Sequence, residues 1–168
     1  AAPTLQLPRP LVSLEGERAV YATILGGTLE QIARAVESFP PDALDRHPHE
    51  GASSSAELAA HVVGAVRAWA VGIGCGRDVS RDRVAEFATA EVSAATLAAD
   101  LRTLATELTE ALGEIDSAFL DERLVPEQSL AGAAPARETS RRESIVSSIR
   151  HAGEHLGHLE LTRDMLSD

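Results

Sequence analysis

Six histidines, at positions 47, 49, 61, 151, 155 and 158, are the residues of this chain best suited to chemistry, and their placement is uneven. Three fall within one eight-residue stretch, His151-Ala-Gly-Glu-His155-Leu-Gly-His158. On a helix, positions four apart project from one face, so His151 and His155 are able to grip one ion without distorting the backbone. Both lie roughly 80–120° to one side of the apolar stripe Ile145, Ile149, Ala152, Leu156 and Leu159, where a side chain enters a seam between helices. His61 sits about 60° off the stripe of Leu58, Val62, Ala65 and Trp69 on an earlier helical segment. If those two helices are neighbours, three imidazoles meet. Neutral imidazole suits zinc, nickel, copper or ferrous iron far better than magnesium or calcium, and three protein ligands leave positions free for water or substrate.

Each of these residues has a plainer reading. A lone histidine on a helix is more often a core or surface residue than a ligand, and only the four-residue spacing of His151 and His155 lifts this set above that background. Glu154 precedes His155, but no His-Glu-x-x-His motif is completed. His47-Pro48-His49 reads as an extended surface loop or a pocket rim. Trp69 reads first as core packing, and otherwise as a wall of a substrate pocket. Cys75 has only Arg77 nearby to favour a thiolate, so an inert thiol is expected. Gly72-Ile-Gly74-Cys75-Gly76 looks like a nucleotide-binding glycine loop, but it follows an alanine-rich helix and no strand series comes after, so a helix C-terminal turn is the better reading. Arg163 falls near the core stripe of the last helix, an unusual place for a charge, and pairs on this reading with Asp100, Glu107 or an anionic ligand.

The elements that must carry these residues are helical. Alanine and leucine are abundant and only 3 % of residues are aromatic, which disfavours a sheet protein. A first helix is predicted from about Leu14 to Ser38, with Val20, Ile24, Leu25, Ile32 and Val36 as its stripe and Pro40-Pro41 ending it. The second starts at a capping box, Ser54 with Glu57, and runs to the glycines at 72, 74 and 76. A short helix over Arg81–Phe87 is allowed. The third spans about Ser93 to Leu112, with Leu97, Leu101, Leu104, Leu108 and Leu112 along one side. A long loop from Asp121 to Thr139 follows, and a second capping box, Ser140 with Glu143, opens the fourth helix. The expected fold is therefore all-α, a four-helix bundle with crossover connections, occupying residues 13–168 as one domain behind an extended, proline-bearing arm at residues 1–12.

Bulk composition narrows the function. Net charge is −11, and all fifteen basic residues are arginine, with no basic stripe. Nucleic acid and anionic membrane surfaces are thus poor partners. A single cysteine excludes an internal disulfide and suits a reducing compartment, no uninterrupted apolar run reaches membrane-spanning length, and the first residues, Ala1-Ala2-Pro3-Thr4, lack the basic start and apolar stretch of a signal peptide, so a cytoplasmic protein is expected.

The stretch Ile149-Arg-His151-Ala-Gly-Glu-His155-Leu-Gly-His158-Leu-Glu-Leu resembles the last helix of the DinB/YfiT-like metalloenzymes, and Ser54-Ser-Ala-Glu57-Leu-Ala-Ala-His61 resembles their second. The resemblance spans roughly Leu11 to Leu166, although its telling motifs cover only about 25 residues. It implies a four-helix bundle, often dimeric, holding zinc, nickel or a similar divalent ion through His61, His151 and His155, with His158 as a partner behind the ligands or in the pocket lining. Relatives of this kind include transferases and isomerases that use mycothiol, bacillithiol or glutathione, so the resemblance implies a metal-dependent thiol S-transferase or isomerase, with transfer of a low-molecular-weight thiol to a small electrophile as the leading expectation. Two alternatives stay open: metal-assisted hydrolysis with Glu154 or Glu160 as base, and a non-enzymatic bundle that binds a metal or ligand.

Overall fold

The helix boundaries follow from local signals that the chain states clearly. In the computed structural model, which describes residues 14–40 and 42–167, α1 runs Gly16–Glu37, α2 Ser55–Val66, α3 Arg83–Glu86, α4 Ala94–Gly113, α5 Ser117–Leu120, α6 Gln128–Ala131 and α7 Arg141–Leu166. Both predicted capping boxes form. The Glu57 backbone N–H donates to Ser54 Oγ at 3.2 Å while the Ser54 N–H donates to the Glu57 carboxylate at 2.9 Å. Ser140 and Glu143 make the same exchange at 3.1 and 2.6 Å. Each box satisfies two backbone donors that a helix start otherwise leaves bare.

The four long helices make the bundle. α1 packs on α4 and α7, and α2 with its continuation packs on α7 and α4. The order around the bundle is α1–α4–α2–α7, so the connections from α1 to α2 and from α4 to α7 cross it. Leu25, Leu29, Ile32, Leu101, Leu104, Leu108, Ile145 and Leu159 fill the interior. The α1 stripe differs from expectation at its start: Val20 and Ile24 are 51 % and 47 % exposed. The buried line is Leu25, Leu29, Ile32 and Val36, and Ile24 lies about 100° round from Leu25, on the next face.

Residues Arg67–Gly74 continue α2 as a π-helix, an uncommon state for eight residues. The combined helix Ser55–Gly74 is apolar and long enough to cross a bilayer by mean hydropathy, yet it lies two-thirds buried in the bundle, as a core helix does. Glycines let its neighbours close in. A Cβ on Gly74 would stand 2.5 Å from the Ile145 side chain of α7, and one on Gly72 would stand 2.5 Å from Val79. The segment then ends as its glycines suggest: Gly76 takes φ +72°, and its N–H donates to the Gly72 carbonyl at 2.8 Å. Cys75 is buried in the core beside this turn, and burial pushes its thiol up to about 12, so it is an inert side chain.

The expected loop after Asp121 is better organised than its prolines suggest. Arg123–Leu124 (β1) pairs antiparallel with Thr139–Ser140 (β2), which clamps the two ends of the segment together. Between them α6 and residues 131–134 fold back over the bundle. The expected extended arm at residues 1–12 lies outside the described residues.

Candidate metal centre

α2 and α7 are direct neighbours, and this brings the histidines together. His61 stands on the second turn of α2, and His151 and His155 stand one turn apart on α7. One nitrogen from each lies within 4.8 Å of the others, with the two Nε2 atoms of His61 and His151 3.1 Å apart. Nitrogens 2.0–2.1 Å from a tetrahedral zinc would be separated by about 3.4 Å, so this spacing is of the right size. The rings are mutually near-perpendicular, at centroid separations of 4.5 to 5.2 Å, so none stacks flat over another.

The protons are held where metal binding needs them. His61 Nδ1 lies 2.9 Å from the Glu86 carboxylate. A carboxylate only accepts, so the proton sits on Nδ1 and the Nε2 lone pair points at the cluster. Glu86 is itself buried and takes two bonds from Arg81, at 2.7 and 3.0 Å. Burial opposes ionisation of Glu86, but the Arg81 guanidinium and the His61 N–H outweigh it and hold the carboxyl below its usual range. Burial lowers all three imidazoles, and for His151 and His155 the neighbouring rings add to it. His155 is brought down to about 4. The cluster is therefore neutral near pH 7, the state in which imidazole is a ligand.

This has a consequence for the metal-free protein. Between pH 6.5 and about 4 the unfolded chain protonates His155 while the folded chain resists, so the unfolded state binds more protons and stability is lost as the pH is lowered through that window. Thermal midpoints recorded without metal should decline over this range, and His155→Gln should flatten part of the slope. An unchanged slope would contradict the burial of that ring.

Gly64 makes the arrangement possible. It follows His61 by three residues on the same helix, and a Cβ there would come 2.0 Å from Glu86 Oε1, a carboxylate already fixed by two partners. Gly64→Ala raises helix propensity by roughly 1 kcal/mol, but it must displace Glu86 from His61. Losing such a partner typically weakens metal affinity about 10–100-fold. Titration against a chromophoric chelator should show that loss; unchanged affinity would mean the Glu86 contact does not matter.

A cavity of about 440 Å³ opens beside the cluster, lined by His61 and His151 together with Trp69, Arg81, Arg83, Arg150, the Ser147–Ser148 turn and residues 131–134. Trp69 is thus a pocket wall and not part of the apolar core. It falls in the π-helical segment, where the wider turn shifts the phase of the face that began at Leu58. His158 is exposed, with its Nδ1 3.4 Å from Nδ1 of His155; it backs that ligand and does not line the cavity.

Other expectations are corrected. Glu154 and Glu160 are exposed, and Glu154 is paired with Arg150. Neither faces the cavity, because both lie on the solvent side of α7. Arg163 bonds Asp164 at 2.8 and 3.0 Å and Ser38 Oγ at 3.2 Å. It meets neither Asp100 nor Glu107, and Glu107 takes Arg67 instead at 2.9 Å. His47 and His49 stay in an exposed loop, held to the Ala52 and Glu50 carbonyl groups. The residues that the spacing did not reveal are Glu86, Arg81 and Gly64. Of these only Gly64 carried a signal, a glycine placed one turn past a candidate ligand inside an otherwise good helix.

At the level of families, the sequence profile of the DinB superfamily matches residues 25–159. Among curated proteins no match is found.

Proposed function

Because this chain belongs to the DinB superfamily, we propose that it is a metal-dependent enzyme which transfers a low-molecular-weight thiol, of the mycothiol or bacillithiol type, to a small electrophile. One observation carries the reading: three neutral imidazoles from two helices converge within 4.8 Å at the edge of a cavity of about 440 Å³. The donor set fits zinc or nickel, and His61, His151 and His155 would hold the ion. A bound ion with open positions supplies the means to keep a thiol deprotonated near pH 7, where a free thiol is largely protonated.

The chain's own residues do the rest. Glu86 fixes the His61 tautomer through Nδ1, and Arg81 keeps Glu86 charged. Trp69 and the turn at residues 131–134 wall the cavity, which limits the water that competes for the electrophile. The reaction forms one carbon–sulfur bond as the S–H bond and one bond at the electrophilic carbon break; the thiol proton goes to solvent, and the electron pair of the broken carbon bond leaves with the displaced or ring-opened group, which solvent protonates. Metal-assisted hydrolysis has less support, since no carboxylate among the described residues lines the cavity to serve as base.

Metal-loaded protein incubated with a cysteine-derived thiol and a panel of model electrophiles should yield a thioether by mass spectrometry, at a rate well above the metal-free control. No thioether with any electrophile, despite full metal occupancy, would overturn the transferase reading.

A further inference from the structure

The protein is strongly acidic, yet among the described residues the cavity beside the imidazoles is lined by three arginines and no carboxylate. The three are not equivalent. Arg81 is buried, and its charge is matched by Glu86 through two bonds. Arg150 is paired on its solvent side with Glu154, one turn along α7. Arg83 makes no hydrogen bond or ion pair among the described residues. Its guanidinium rests on the Phe87 ring, 4.8 Å from the centroid, and the Phe87 ring lies 4.8 Å from that of His61.

Stacking fixes a guanidinium plane without using its N–H groups, so the fork of Arg83 keeps its donors for another partner. Phe87 ties that fork to a ligand ring, and α3 carries Arg83 one turn from Glu86, which orients the same ring. The free charge is therefore held in register with the candidate metal centre. Nearby, Ser147 is half-buried and forms no side-chain hydrogen bond among the described residues, and Trp69 offers an apolar face. One unmatched planar fork, a hydroxyl and an apolar wall match a carboxylate on a short apolar stem. A phosphate would call for more positive charge or a helix N-terminus, and the start of α3 is already occupied by the side chain of Asp82.

We propose that the cavity binds a carboxylate-bearing molecule and that Arg83 is the residue which selects for its charge. That the carboxylate belongs to a substrate of thiol transfer rests on the reading above; the anion site itself does not, and it is testable without metal. Trp69 is the single tryptophan, so its indole N–H gives one resonance that reports on the cavity. Metal-free protein would be titrated at constant ionic strength with hexanoate, with its neutral amide and with inorganic phosphate. Hexanoate should move the resonance saturably, binding at least tenfold more tightly than the amide or phosphate. Arg83→Gln should weaken hexanoate at least tenfold and leave the amide unchanged. Arg34→Gln, which removes the same charge from an exposed site on α1, should change nothing. The proposal is overturned if Arg83→Gln binds hexanoate within twofold of the parent, if the amide or phosphate binds as well, or if hexanoate gives no saturable shift. Failure of thioether formation would leave these titrations untouched, so the two ideas fail separately.

Discussion

Alanine at His61, His151 or His155 should lower zinc affinity by roughly 100–1,000-fold in each case. The estimate follows from structural zinc sites, where about 10–16 kcal/mol shared among four ligands gives roughly 2.5–4 kcal/mol per ligand. The three losses should be similar, because each ring contributes one nitrogen to a common point. His61→Ala carries an added cost, since the buried Glu86 carboxylate then loses the hydrogen bond from the His61 N–H. Competition titrations against a chelator would measure the effect, with helical circular dichroism to show that the fold is retained. His47→Ala and His49→Ala serve as controls, because both side chains lie in an exposed loop. Loss of affinity in those two, or its retention in any of the three cluster variants, would contradict the assignment.

The second large effect is expected at Glu86. Its carboxylate accepts from His61 on one side and from Arg81 on the other, and the Arg81 side chain is only 3 % exposed. Removing one partner of a buried pair costs about 3–5 kcal/mol, because the remaining charge is stranded. Domains of this size are stable by only about 5–15 kcal/mol. Glu86→Ala should therefore lower the thermal midpoint of the metal-free protein by roughly 6–20 °C, at about 2–4 °C per kcal/mol. Glu86→Gln keeps a carbonyl for the His61 N–H but strands Arg81, so it should destabilise nearly as much. Adding Arg81→Met to Glu86→Gln should recover part of that loss, which identifies the stranded charge as the cause. A midpoint within about 2 °C of the parent would mean that Arg81 finds another partner. In metal titrations, Glu86→Ala should also bind more weakly, by about 10–100-fold.

Much of the scaffold was legible because its determinants are local. Ser54–Glu57 and Ser140–Glu143 each announce a helix start within four residues, and the leucines of α4 repeat on one face. His151 and His155 were legible for the same reason: their meeting depends on one helix alone. The placement of His61 beside them depends on α2 packing against α7, which no local pattern states, and the family motifs supplied that expectation. Glu86 was not legible. It reaches His61 across twenty-five residues, from a four-residue helix whose only local mark is the Asp82 cap. Val20 and Ile24 misled because apolar residues on neighbouring faces of α1 fit a loose helical period. Trp69 shifted from core to pocket wall because the helix widens at Arg67, and a regular α-helical wheel does not anticipate that change.

X-ray absorption at the zinc edge of protein loaded with one equivalent of metal tests the convergence of the three rings most directly. Three imidazole nitrogens at about 2.0–2.1 Å, with the shell completed by an exchangeable oxygen ligand, is the expected spectrum. A shell holding one imidazole or none would show that His61, His151 and His155 do not share an ion.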